Sequence, residues 1–457
     1  MAAIPARARI AHLLRRAGFG ASEAELDEYA ALGFEGSVER LLNPEGVADD
    51  LDERVAALGL DLDTAAALPL YWLFRMANTK RPLQEKMCLF WHDHFATAIS
   101  KVRSPQLMLQ QYQTFARLGL GKFSDLTLAV SQDPAMLVWL DGNQNRKNAP
   151  NENYGRELLE LFMLGIGNYT EEDVKAAARA FTGWFFQAER DPDNNGRITS
   201  ARFVFTERQH DFGQKTFLGQ TGNWNGQEII GIAMQQPACA RFIAGKLFAA
   251  FVWDNPDAAT VAPYAEVLMR SGYDIRAAVR AILLSPEFSS DRAYRATTKS
   301  PAEYVAGLMR ALGVGIPARD YGTAMRGMGQ ELFNPPHVGG WASGLAWIGP
   351  GTLLERANLA NRIVTTRQVN RNNPVAFDPA KLLAGKGIAT AEQLVDHFVA
   401  LLLDGAITAA QRDALLAYLR RDDKGQTTTF ALDPKTLDSK VRGLVHLIAA
   451  MPEYQLN

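Results

Sequence analysis

Helical periodicity constrains this chain more than any other feature. Apolar residues recur three and four apart over 5–17, 22–42, 62–79, 82–98, 104–117 and 123–140, with Gly, Pro or Asp between the segments. The pattern resumes at 154–164, 171–182, 226–234, 237–250, 258–270, 274–285, 300–313 and 352–367, then at 391–403, 408–420 and 437–450. Ser22 with Glu25 makes a capping box, and Thr170 with Asp173 gives a weaker form of the same start signal. Such a chain is expected to be mainly α, a multi-helical bundle.

One stretch departs from the pattern. From Gly183 to Gly219 the helical period disappears, and Phe203 and Phe205 alternate about Val204. Asp191 to Gly196 is a polar turn, and Lys215 to Leu218 is a second short β-like run. A small β-hairpin or meander is therefore expected as an insertion near 183–220.

Residues 275–288 and 441–454 share Arg, Val, Ile, Pro and Glu at matching positions. Each copy follows two amphipathic segments, near 237–270 and 391–420, so a duplicated three-helix unit is expected. Chance similarity of two helix ends is the alternative. The expected regions are 1–182, 183–225, 226–370 and 371–457, or one continuous domain. The boundaries fall at the insertion and at the polar stretch Arg367 to Pro374, while Arg421 to Ser439 is a polar excursion within the last unit.

Charge narrows the function classes. Lys plus Arg number 48 and Asp plus Glu 50, a net charge of -2 without a long basic run, so nucleic acid is not an expected partner. The two cysteines, Cys88 and Cys239, lie far apart in apolar helical segments, which excludes a disulfide framework and a Cys-rich zinc site. No apolar run is long enough for a transmembrane helix. The first ten residues lack an uninterrupted apolar run, so no signal peptide is expected and the chain as written reads as cytoplasmic.

Three clusters carry residue types suited to chemistry. Trp91-His92-Asp93-His94-Phe95 holds a His-x-His pair, a common metal-ligand spacing. Residues two apart on a helix do not share a face, so both histidines reach one ion only at a helix end or a distortion. The alternative is that His94 packs in the core while His92 caps or pairs. The second cluster runs from Asn151-Glu152-Asn153 through Arg156 and Glu157 to Leu164, and six of the seven residues after Glu157 are apolar. Glu157 is thus expected to be substantially buried, and a buried carboxylate needs a cation, a donor or a metal. Arg156 is expected to pair with Glu160 at i, i+4, leaving Arg179 or the histidines for Glu157; a structural Arg–Glu network is the competing reading. The third cluster is His210-Asp211 with Lys215 after the β-like run. The Gly-Trp loop around Trp341 is a recognition surface or a packed cover.

In order along the chain, several segments together resemble one bacterial family. They are His12-Leu13-Leu14-Arg15-Arg16 with Gly18-Phe19-Gly20, Trp91 to Phe95, Pro150 to Asn153, and Arg156 to Leu161. Tyr169-Thr170, Arg179 with Thr182-Gly183-Trp184, His210-Asp211 with Lys215, and Pro335-Pro336 with Gly340-Trp341 and Trp347 complete the set. The chain resembles the domain-of-unknown-function family numbered eighteen hundred, from about His12 to Tyr454. The resemblance implies no established activity. It implies a periplasmic or envelope setting for many members.

Two functions are expected from these readings. One is a metal-assisted enzyme, a hydrolase or oxidoreductase, with a divalent metal on His92, His94 and His210 and with Glu157, Arg156 and Arg179 as catalytic groups. Asn151, Glu152, Asn153, Asp211, Lys215 and Trp341 would bind its substrate. The other is a non-catalytic helical binding or assembly protein whose polar clusters are structural.

Overall fold

The computed structural model describes residues 5–193, 196–367, 376–422 and 424–457. Helices dominate, and the β content is confined to a small insertion. The expected boundary at Arg367 to Pro374 lies, apart from Arg367, outside the described residues, as do two residues of the Asp191 to Gly196 turn.

The expected helices form, several in shortened or divided shape. The segment 22–42 divides into Glu23–Ala31 and Gly33–Leu42, with Gly33 at φ +68°. The segment 123–140 divides at Asp133-Pro134, where Pro134 supplies no N–H and Asp133 caps the second helix. The helix expected over 82–98 is Pro82–His94. Ser22 makes its capping box with Glu25, and Thr170 makes one with Asp173.

The insertion is a pair of hairpins. Trp184–Asp191 pairs antiparallel with Arg197–Phe205, Phe186 opposite Phe203, with an irregularity between Glu189 and Arg190. Lys215–Phe217 pairs with Gln220–Gly222 across a two-residue turn, Leu218-Gly219, in which both residues have positive φ.

Both halves of the expected duplication contain three mutually packed helices. In one they are Pro237–Phe251, Ala258–Arg270 and Ile275–Leu283; in the other, Ala391–Leu403, Ala409–Leu419 and Arg442–Ala450. Each last helix leads to a buried aromatic ring, Phe288 or Tyr454, two residues after its proline.

The helix Pro301–Leu312 is buried on nearly every side and packs against Leu68–Asn78, Pro350–Thr365 and Ala391–Leu403. A single core cluster continues from Ile10 to Tyr454. Around the N-terminal end of Pro301–Leu312 lie the C-terminal ends of Ala6–Arg16, Pro82–His94 and Pro237–Phe251, and these ends position the site.

Candidate functional site

Successive side chains on a helix point about 100° apart. The last turn of Pro82–His94 uses that divergence to send His92, Asp93 and His94 into three surroundings. His92 is 2% exposed among the rings of Trp72, Phe333 and Trp341, and its Nε2 has no hydrogen-bond partner among the described residues. Burial pushes it down to about 3, so the ring is neutral. His94 is buried against Phe95 and Phe162, and its Nε2 donates to the Phe162 carbonyl at 3.0 Å. Desolvation and nearby Lys246 hold it well below the ordinary histidine range.

The Phe162 carbonyl is free because it lies in the last turn of Leu158–Met163, a π-helix continuing from Asn153–Glu157. Its Leu161 carbonyl accepts from Lys246 Nζ at 3.4 Å. Side-chain donors therefore occupy two successive carbonyls of the last turn.

Asp93 points elsewhere. With Lys86, Leu89 and Phe90 it forms the i, i+3, i+4, i+7 stripe of its helix, and that stripe lines a cavity of 170 Å³. The Asp93 carboxylate accepts the Trp341 N–H at 2.7 Å. Gly340, at φ +86°, makes this approach feasible, since a Cβ there would run into both Oδ1 and the main-chain oxygen of Asp93. Burial raises Asp93 to about 6, against the opposing pull of the Trp341 N–H, Lys246 and His337.

Opposite stands Arg16, the last residue of Ala6–Arg16. Its Nε donates to Phe251 O at 2.8 Å and its Nη2 to Ala250 O at 3.0 Å, capping the C-terminal end of Pro237–Phe251. Among the described residues no carboxylate is in ion-pair contact with it, and burial lowers it to about 10 against the opposing pull of Glu303 and Asp254, which also line the cavity. Lys86 forms an ion pair with Glu303 in the first turn of Pro301–Leu312. Glu303 also accepts the Ser300 N–H at 2.7 Å in a capping box with Pro301 at the first helical position. Trp341 Nε1 has no acceptor among the described residues, and Trp347 also lines the cavity.

The second expected cluster is partly assembled. Arg156 pairs with Glu152 at 3.1 Å and Glu171 at 2.7 Å rather than with Glu160, which accepts from Tyr169 Oη at 2.6 Å. Glu157 is half-buried rather than deeply buried, and none of the described residues bonds its carboxylate. Desolvation and the neighbouring Glu160 raise its pKa. The helix forms over nearly the expected span, but from Leu158 to Met163 it is a π-helix, which moves the apolar residues out of the expected register with Glu157.

The third cluster does come together, as a closed network. Arg179 Nε donates to Asp211 at 2.6 Å, the Asp211 N–H donates to Thr182 Oγ1 at 2.8 Å, and His210 Nδ1 donates to Thr182 O at 2.8 Å. Lys215 is buried with its Nζ on the carbonyls of Asp211, 2.5 Å, and Gly213, 3.0 Å. Asn151 and Asn153 serve turn geometry: Asn145 Oδ1 accepts the Asn151 N–H, and Asn151 Oδ1 accepts the Asn153 N–H, each at 2.9 Å.

A metal on His92, His94 and His210 needs those rings around one point, and the structure holds them in separate surroundings. Among the described residues no group of three or more His, Cys, Asp or Glu is placed to hold an ion. Of the expected site residues, only Trp341 lines the cavity. Arg16, Lys86, Asp93 and Glu303 were not singled out for chemistry. The signal for Arg16 and Asp93 was their place in the ordered motifs His12 to Gly20 and Trp91 to Phe95.

The fold and cavity define a mainly helical protein with a polar cleft where helix ends from distant parts of the chain meet. The family model for proteins of unknown function designated DUF1800 matches residues 12–456, and the chain belongs to that family. Neither a curated protein nor a solved structure matches it. Among the described residues no helix is long and apolar enough to cross a membrane.

Proposed function

We propose that the cleft binds a small molecule, or a unit of a polymer, that carries an anionic group, and acts on it by general acid–base chemistry through Asp93. The observation that carries the reading is Arg16: a buried guanidinium on the cavity wall with two donors on main-chain carbonyls and, among the described residues, no carboxylate in ion-pair contact, Glu303 and Asp254 of the same wall acting on it only through charge. A buried cation favours an anionic partner. The Asp93 carboxyl near pH 6 is suited to give and take a proton around neutrality. Trp341 offers an unused indole N–H to a polar ligand.

Titration calorimetry with inorganic phosphate, glucose 6-phosphate, citrate and galacturonate tests this. One of these anions is expected to bind wild type and to lose at least tenfold in affinity in Arg16→Gln, with partial recovery in Arg16→Lys. Conversion of the bound compound by wild type and not by Asp93→Asn would support the catalytic part. Absence of binding, or binding indifferent to Arg16, would overturn it.

The non-catalytic alternative draws on Leu345, Leu353 and Leu354, which are exposed on and just after the Gly-Trp loop. Ligand binding without conversion, together with a partner lost on Leu345→Ser, would favour it.

A further inference from the structure

An open groove of 560 Å³ runs beside Pro237–Phe251, between the turn after Leu158–Met163 and the start of Ala258–Arg270. Ala238, Arg241, Phe242, Gly245 and Lys246 line it as an i, i+3, i+4, i+7, i+8 stripe of that helix. Gly165, at φ +78°, lets the facing turn close on Phe242, whose ring a Cβ there would meet at 3.0 Å. Apart from Asn168, Arg241 and Lys246 the lining is apolar or glycine, and Ile166 in it is 80% exposed. Asn168 Nδ2 spends its donors on the carbonyls of Leu164 at 3.0 Å and Gly165 at 3.3 Å. A hydroxyl-rich ligand would find few partners here, whereas an apolar chain would take this surface out of water.

The charge of the groove is one-sided. No Asp or Glu lines it. Asp257, beside two lining residues, caps Ala258–Arg270 with its Oδ1 on the Thr260 N–H at 2.8 Å. Asp93 acts on Lys246 through charge alone and lines the cleft instead. Among the described residues neither cation has an ion-pair partner. Arg241 is exposed, and a guanidinium keeps its charge. The Lys246 ammonium has three donors and makes one long hydrogen bond, 3.4 Å to Leu161 O. Burial lowers Lys246, and an anion beside it would favour its charged form.

We infer that this groove binds an anionic amphiphile of the fatty-carboxylate class, its chain along Phe242 and Gly245 and its carboxylate on Lys246, with Arg241 adding positive charge at the surface. The site is separate from the cleft and does not rest on the function proposed there.

Titration calorimetry with decanoate, below the concentration at which it forms micelles, tests the inference. Decanoate is expected to bind, hexanoate at least tenfold more weakly for want of four methylenes, and decyltrimethylammonium not at all. Lys246→Met keeps the stem and is expected to lose at least fivefold in decanoate affinity. Gly245→Leu fills the groove from inside the helix, where a Cβ meets nothing nearer than Val261 at 3.9 Å. It is expected to abolish decanoate binding with Tm at or above wild type. Arg16→Gln is expected to leave decanoate binding unchanged. Absence of binding below the micellar concentration, equal binding of the cationic amphiphile, or binding indifferent to Gly245→Leu and Lys246→Met would each overturn the site. So would a loss in Arg16→Gln, which would place the carboxylate in the cleft.

Discussion

The main-chain N–H of Trp341 donates to Asp93 Oδ1 at 2.7 Å, joining the last turn of Pro82–His94 to a loop 248 residues later. That bond fixes the only acidic side chain of the Trp91 to Phe95 motif on the wall of the cleft. It also separates Asp93 from the two histidines beside it.

Because burial raises Asp93 from 3.8 to about 6, the folded protein binds a proton there more tightly than the unfolded chain. The stabilising contribution is full below the unfolded value and is lost as pH rises through about 6. It amounts to at most about 3 kcal/mol, since the cleft admits water. Asp93→Asn keeps an acceptor for Trp341 and removes the titration. The difference in unfolding free energy, variant minus wild type, is expected to grow in favour of the variant between pH 4 and pH 7. A difference independent of pH would contradict the placement of Asp93.

Gly340→Ala puts a Cβ against Asp93 in a backbone conformation with φ +86°. A loss of about 1–3 kcal/mol is expected, with weakened ligand binding at the cleft. Gly351 is the control: it is near the start of a helix, and nothing lies within 4 Å of a Cβ there. Gly351→Ala is expected to stabilise by about 0.5 kcal/mol. Opposite signs in two melting curves check both.

The helices were legible because apolar spacing and caps are local. The hairpins were legible because Phe203 and Phe205 alternate and Gly219 marks a turn. The site was legible only as motifs. His12 to Gly20, Trp91 to Phe95 and Gly340-Trp341 do meet, but which side chain of each faces the cleft depends on helix phase. His92 and His94 have the more conspicuous chemistry and the inward phase; Asp93 between them has the outward one. The π-turn at Leu158–Met163 likewise altered the phase that was to bury Glu157. In both places the geometry differs from the expectation by rotation about a helix axis, which residue identity alone does not set.

Glu157, beside Glu160, has no hydrogen-bond or ion-pair partner among the described residues and feels Arg156 only through charge. Glu157→Gln is expected to leave Tm unchanged or raise it slightly at pH 7, with the gain shrinking as acid protonates the wild-type carboxyl. A loss above about 1 kcal/mol would show a hydrogen bond or ion pair at this carboxylate.

Lys86 and Glu303 are each mostly buried and rely on one another. Lys86→Met strands the Glu303 carboxylate and is expected to cost about 3–5 kcal/mol. Adding Glu303→Gln removes the stranded charge and keeps the Ser300 cap, so the double variant is expected to recover most of the loss. Urea unfolding of both singles and the double gives the coupling.

His92 supplies the sharpest contrast with the metal expectation. Its folded value of about 3 lies below 6.5, so the unfolded state takes up a proton first as pH falls. The stability it contributes is present above 6.5 and drains away with acid, by about 2 kcal/mol at pH 5. His92→Phe keeps a ring among Trp72, Phe333 and Trp341 and cannot titrate. It is expected to melt near wild type at pH 8 and above it at pH 5. His94→Phe removes its titration too, but it strips the Phe162 carbonyl of its donor, so it is expected to cost about 1 kcal/mol even at pH 8. Melting curves at the two pH values separate the roles. A zinc-dependent rise in the wild-type Tm at pH 8 that His92→Phe loses would overturn this account and restore the ring as a ligand.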